Sequence, residues 1–196
     1  MSQPPEGRPL IVAMTGASGA YAAELLLAKS PWPTMLIASR WAREIYAHEC
    51  GPFEELTKRA GTVFSNDDML APPASGSVAA MGMVILPCSV NTLGQIAAGL
   101  GESLITRAAH CQLKERRPLI LGLRETPLTA IDLHNAAQAA AAGAAVMPLA
   151  PPFYMFKGRT PRQITLHDLM NAYVDRILAL LGHPLKATWE DVADVR

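Results

Sequence analysis

Ile11-Val12-Ala13-Met14-Thr15-Gly16-Ala17-Ser18-Gly19-Ala20 is the stretch that decides the fold. An unbroken apolar run ends in small and hydroxyl-bearing residues, and an Ala- and Leu-rich segment follows over 19–29. A short continuous apolar run bounded by a Gly/Ser turn is the pattern of a strand covered on both faces. The glycines permit a tight turn and let a ligand approach the backbone, and a helix starting there offers free N–H groups to an anion. A turn of this kind either binds phosphate or is only a turn. It is neither a GxGxxG fingerprint nor a P-loop, because no GK[ST] follows.

The same arrangement recurs along the chain. Met83-Val84-Ile85-Leu86 runs into Pro87-Cys88-Ser89-Val90-Asn91-Thr92, and Leu119-Ile120-Leu121-Gly122-Leu123 runs into Arg124-Glu125-Thr126-Pro127. The pattern predicts strands over 9–15, 34–38, 83–87, 118–123 and 144–148. It predicts helices over 19–29, 40–50, 91–98, 102–115, 126–142 and 165–181. Thr126 is expected to cap its helix, with Pro127 in the first turn. Residues 51–60 extend a helix or form a loop, 61–82 read as an irregular loop, and 150–162 as a Pro-rich loop. Residues 1–8 read as a disordered tail, 9–183 as one domain and 184–196 as a peripheral tail. Alternating strands and helices imply a mostly parallel sheet with helices on both faces. In such a sheet, ligands sit beyond the carboxyl ends of the strands, so the polar clusters converge on one crevice.

Composition narrows the function classes. Seventeen basic and 17 acidic residues balance to zero net charge, which supplies no general attraction to nucleic acid or anionic membrane. The apolar runs fall far short of the ~20 residues of a membrane span, and the N-terminus lacks a basic-then-apolar signal pattern. Three cysteines, Cys50, Cys88 and Cys111, are widely spaced and form no metal or disulfide pattern. A reducing cytoplasm is the expected compartment, and no metal site is expected.

Several side chains carry two readings each. Ser89 is a helix cap or a ligand contact. Cys88 is a buried thiol rather than a nucleophile, having no evident partner base. Arg107 and Lys114 lie two turns apart on one helix face and either reach a phosphate or are solvated; for Arg116 and Arg117 the solvated reading is preferred. Arg124-Glu125, at a strand's carboxyl end, is a structural ion pair or a site in which the glutamate is a general acid or base. Tyr154, after Pro151-Pro152-Phe153, bonds a phosphate or packs. Arg176, on an otherwise apolar helix, wants an anion. The histidines show no metal-ligand spacing, and His48 is expected on the surface.

Taken together from about Pro9 to Gly182, these motifs resemble the flavin prenyltransferase (UbiX-like) family. The resemblance is carried by Gly16-Ala17-Ser18-Gly19-Ala20, Met83 to Ser89 with Thr92-Leu93, Arg107-Ala108-Ala109, Leu113 to Arg117, Arg124 to Leu128 and Pro152-Phe153-Tyr154. It implies an α/β, Rossmann-like (flavodoxin-like) three-layer sandwich, assembled as trimers and usually dodecamers, with FMN at the subunit interface. It implies transfer of a dimethylallyl group from dimethylallyl phosphate to N5 and C6 of reduced FMN, without a metal. The product, prenylated FMN, would serve a UbiD-type decarboxylase. By the same resemblance, flavin contacts fall on Gly16, Ala17, Ser18, Ser39, Ser89, Asn91, Thr92 and Arg107, and donor-phosphate contacts on Lys114, Arg124, Tyr154 and Arg176. Ser18, Glu49 and Glu125 take the catalytic positions. The chain departs from the family pattern at Ala22-Ala23, in place of Tyr-Gly, and at Glu102-Ser103, in place of Asp-Asn. It departs also at Val78, where an aromatic beside the prenyl cation would add cation–π stabilisation. A flavin-dependent cysteine-type decarboxylase, with His48 as its histidine, and a flavin-binding homologue that has lost transfer are the alternatives.

Overall fold

The computed structural model describes residues 7–150, 153–156 and 158–185. The expectations for the outermost tails, for Pro151-Pro152 and for the side chain of Tyr154 lie outside the described residues.

Six parallel strands form one sheet in the order β3-β2-β1-β4-β5-β6. They are β1 (Leu10–Met14), β2 (Thr34–Ala38), β3 (Thr62–Ser65), β4 (Gly82–Cys88), β5 (Leu119–Leu123) and β6 (Ala145–Pro148). β1 is buried throughout and its residues alternate between the two layers. Leu10, Val12 and Met14 join one core with α1 (Tyr21–Lys29), α2 (Arg40–Glu49), α3 (Phe53–Thr57) and α7 (Leu166–Leu180). Ile11 and Ala13 join the other, with α4 (Val90–Ala97), α5 (Leu104–Lys114) and α6 (Ala130–Ala141). Apolar residues in every position are what period-two alternation requires of a strand covered on both faces.

The chain winds outward from β1 to β3, then returns to place β4 on β1's free edge. The strand order therefore reverses between β1 and β4, and a crevice opens there at the carboxyl ends. Thr15 holds that point together: its hydroxyl donates to the Pro87 carbonyl at 3.0 Å and accepts from the Ser89 N–H at 2.8 Å.

Two expected elements need correction. Residues 61–82 are not all loop, since β3 pairs with β2 there. It is an edge strand with three of its four residues exposed, so it lacks the apolar run that marks a central strand. The sixth helix begins after Thr129, not Thr126: the Thr129 hydroxyl accepts from the Asp132 N–H, and the Asp132 carboxylate accepts from the Thr129 N–H. This reciprocal capping outcompetes the Thr-Pro step upstream. The stretch 51–60 contains the short α3.

Candidate active site

Two hollows flank the switch point. The first, about 520 Å³, is lined by Thr15-Gly16, Ser39, Trp41, Asn66, Ser89 to Thr92, Ser103, Thr106 and Glu125, a size suited to a small-molecule ligand. Three helices begin on it. Ser39 caps α2 by accepting from the Ala42 N–H at 3.1 Å, Ser89 caps α4 by accepting from the Thr92 N–H at 3.3 Å, and Ser103 caps α5. Three positive dipole ends and their hydroxyls converge on one space, which suits an anionic, phosphate-bearing ligand. Trp41 is 64% exposed, and its ring offers a flat apolar wall. Gly16 is required beside it, because a Cβ there would sit 2.7 Å from the Trp41 Cβ. The donor set and the aromatic wall fit FMN.

The second hollow, about 740 Å³, lies on the α1/α7 side and is lined by Gly19, Tyr21, Glu24, Glu49, Cys50, Arg124, Leu149, Leu166 and Met170. At its base Glu49 caps α1 from a distance: its carboxylate accepts from the Gly19 N–H at 2.9 Å and the Ala20 N–H at 2.9 Å. Gly19 adopts φ +95°, and a Cβ there would meet the Leu149 side chain at 2.5 Å. Glu24 accepts from the Tyr46 hydroxyl at 2.8 Å and pairs with Arg59. Burial and Glu24 push the Tyr46 phenol well above its ordinary range. Burial, with Glu24 and Glu49 nearby, pushes the Cys50 thiol up to about 11. The apolar residues and Arg124 together suit an apolar molecule carrying an anionic head.

A family model described as Flavoprotein matches residues 1–173. The flavin prenyltransferase UbiX of Deinococcus radiodurans is 43% identical over 187 residues, covering 93% of this chain and 93% of that protein. The chain belongs to the UbiX-like flavin prenyltransferases. Among solved structures, the crystal structure of AnUbiX (PadA1) in complex with FMN and dimethylallyl pyrophosphate superposes with a TM-score of 0.85 at 37% identity, covering 92% of this chain and 95% of that one. A dodecameric FMN-dependent UbiX-like decarboxylase from Escherichia coli O157:H7 superposes with a TM-score of 0.84 at 34% identity, over 92% and 98% of the two chains.

In this UbiX-like chain, consecutive residues at the end of β5 serve different hollows. Arg124 lines the second and Glu125 the first, both in the segment just beyond Leu123. No ion pair joins them among the described residues. Gly16, Ser39, Ser89, Asn91 and Thr92 line the flavin-sized crevice, and Ala17 and Ser18 follow in the turn above it, with Ser18 exposed.

Arg107 and Lys114 do share one helix face, and it is turned toward the segment 74–76. The Arg107 Nε–H donates to the Ala74 carbonyl at 3.0 Å, while Lys114 pairs with Glu115 at 3.3 Å and lies against Gly76. Within one chain Lys114 is therefore on the opposite side of the sheet from Arg124. Arg176 is exposed on α7. His48 is exposed in the last turn of α2 and lines neither hollow.

Arg117 is not merely solvated. It is half-buried and donates to the Val78 carbonyl at 2.7 Å and the Gly76 carbonyl at 2.8 Å, pinning the loop that carries Val78. Burial pushes the Cys88 thiol up to about 12, which makes it an inert core residue. The residues missed by sequence reasoning are Thr15, Tyr21, Trp41, Asn66 and Ser103. The Asn66 side chain accepts from the Ile105 N–H at 3.0 Å, tying the segment after β3 to the start of α5. Only Ser103, with Thr106 three residues on, left a capping signature in the sequence.

Proposed function

We propose that this chain joins a dimethylallyl group from dimethylallyl phosphate to N5 and C6 of reduced FMN. The observation that carries the reading is the adjacency of two unlike hollows at one switch point, with Arg124 and Glu125 dividing the reaction between them. Reduced FMN supplies the nucleophilic ring atoms as the acceptor substrate. The crevice at the starts of α2, α4 and α5 holds its phosphate and ring, and Trp41 and Gly16 shape the wall against it.

The donor's allylic C–O bond breaks with its electron pair leaving on the phosphate, which gains charge as it departs. Arg124 meets that charge in a partly apolar cavity, where a fixed cation acts most strongly. Tyr154 and Arg176 are the further candidates for that anion by family resemblance; Arg176 is exposed on α7 and does not line this hollow within one chain. Lys114 lies across the sheet, so it reaches the donor phosphate of a neighbouring subunit in a trimer, and the trimers build a dodecamer. Bonding at N5 releases the N5 proton and closure at C6 the C6 proton, while the alkene carbon between the two new bonds takes one up. Glu125, facing the flavin crevice, accepts the C6 proton, and the departed phosphate takes the N5 proton and delivers the one the alkene carbon needs. Glu49 holds the N-terminus of α1 and the Gly19 turn in place under the reacting groups, with Ser18 in that turn near the flavin N5.

The product is prenylated FMN for a UbiD-type decarboxylase, and the enzyme works in the cytoplasm. No described helix is long and apolar enough to cross a membrane. Reconstitution tests the reading. Flavin extracted after incubation with dimethylallyl phosphate should activate a cofactor-free UbiD-type decarboxylase, and flavin from a donor-free control should not. Equal failure of both, with flavin bound, would count against it.

A further inference from the structure

Two rows of polar side chains face each other along the seam between α1 and α7. Tyr21 and Lys29 stand at the two ends of α1, and His167, Asn171 and Asp175 follow at four-residue spacing on one face of α7. The Tyr21 Oη is 2.6 Å from His167 Nδ1, and His167 Nε2 is 2.6 Å from Asn171 Nδ2. The Lys29 ammonium donates to Asn171 Oδ1 at 3.4 Å and is itself paired with Asp175.

This chain has a direction. An ammonium only donates, so Asn171 presents its oxygen to Lys29 and its amide N–H to His167. His167 Nε2 therefore accepts, and the neutral imidazole carries its proton on Nδ1. That Nδ1–H donates to the Tyr21 oxygen. The hydroxyl proton of Tyr21 is then left to point away from His167, on a side chain that lines the second hollow beside Arg124. Both carboxylates lining that hollow have partners already: Glu49 is held by the N–H groups of Gly19 and Ala20, and Glu24 by the Tyr46 hydroxyl and Arg59.

We propose that Tyr21 is a donor-binding residue that gives a hydrogen bond to an anionic oxygen of the prenyl phosphate, and that His167, oriented by Asn171 and Lys29, is the positioning residue that keeps Tyr21 a donor. This rests on the reading that the second hollow holds the prenyl phosphate.

The test uses the full chain loaded with FMN. Tyr21→Phe should raise KM for dimethylallyl phosphate about tenfold, the usual effect of losing a hydrogen bond to a charged group, while FMN affinity stays at the wild-type value. His167→Phe should raise KM by a smaller factor, about threefold. Long-range proton–nitrogen NMR should show His167 as the Nδ1–H tautomer in the wild type and a mixture of tautomers in Asn171→Leu. An Nε2–H tautomer in the wild type, or an unchanged KM in Tyr21→Phe, overturns the proposal. Should Tyr21→Phe fold poorly, the tautomer spectrum and His167→Phe still decide it. Wild-type protein that binds dimethylallyl phosphate in calorimetry but gives no product sinks the transferase reading. The binding constant of Tyr21→Phe, about tenfold weaker or unchanged, then judges this proposal alone.

Discussion

Two adjacent side chains at the end of β5 divide the proposed chemistry. Arg124 turns to the hollow lined by Tyr21, Glu49 and Met170, while Glu125 turns to the crevice lined by Ser89, Asn91 and Thr92. If Glu125 takes the C6 proton, Glu125→Gln should reduce turnover by about 10²-fold, with FMN affinity little changed by fluorescence titration; unchanged turnover would remove that role. A second residue-scale expectation concerns Cys88. The folded chain holds its proton to about pH 12, whereas the unfolded chain releases it near the ordinary value of 9.0. Between those values the unfolded state binds fewer protons, so stability falls as pH rises, by about 1.4 kcal/mol per pH unit for this one group. Denaturation of wild type and Cys88→Ala across this window should show a shallower decline in the variant. Parallel declines would contradict the assignment.

At the scale of elements, distant side chains hold the Gly19 turn and the loop after β3. Glu49 takes the N–H groups of Gly19 and Ala20, in place of a cap from the residue preceding α1, where Ala20 has none to give. Glu49→Ala should therefore cost about 1 kcal/mol in urea denaturation, the usual cost of a lost N-terminal cap. Arg117 holds the carbonyls of Gly76 and Val78. Arg117→Ala should speed proteolytic cleavage within 74–79 while leaving the melting temperature within a few degrees, a shift of about 1 kcal/mol. These anchors also show what the sequence could and could not convey. The buried strands were legible because both faces of the sheet are covered, so β1, β4 and β5 read as unbroken apolar runs. β3 was not, because Thr62, Val63 and Ser65 are exposed at the sheet edge and carry no such run. The start of α6 was misplaced because two threonines three residues apart both resemble caps, and only the Thr129–Asp132 reciprocity separates them. The role of Arg117 was hidden because its partners are backbone carbonyls of a loop 39 and 41 residues upstream.

For the whole molecule, one sheet reversal creates two hollows side by side, and Gly16 and Ser89 to Thr92, from two separate strand ends, line the same one. The proposed phosphate set does not gather within one chain. Lys114 lies on α5, beyond the sheet from Arg124, and no spacing argument along a sequence shows which face of a sheet a helix covers. If a second subunit supplies it, mixing inactive Lys114→Ala and Arg124→Ala chains should restore part of the activity in hybrid oligomers, and scattering should give the mass of a dodecamer. The central claim is transfer itself. Protein incubated anaerobically with reduced FMN and dimethylallyl phosphate, then denatured, should release a flavin heavier than FMN by one dimethylallyl group in the mass spectrum. Flavin of unchanged mass, from protein that demonstrably bound both molecules, would contradict the account.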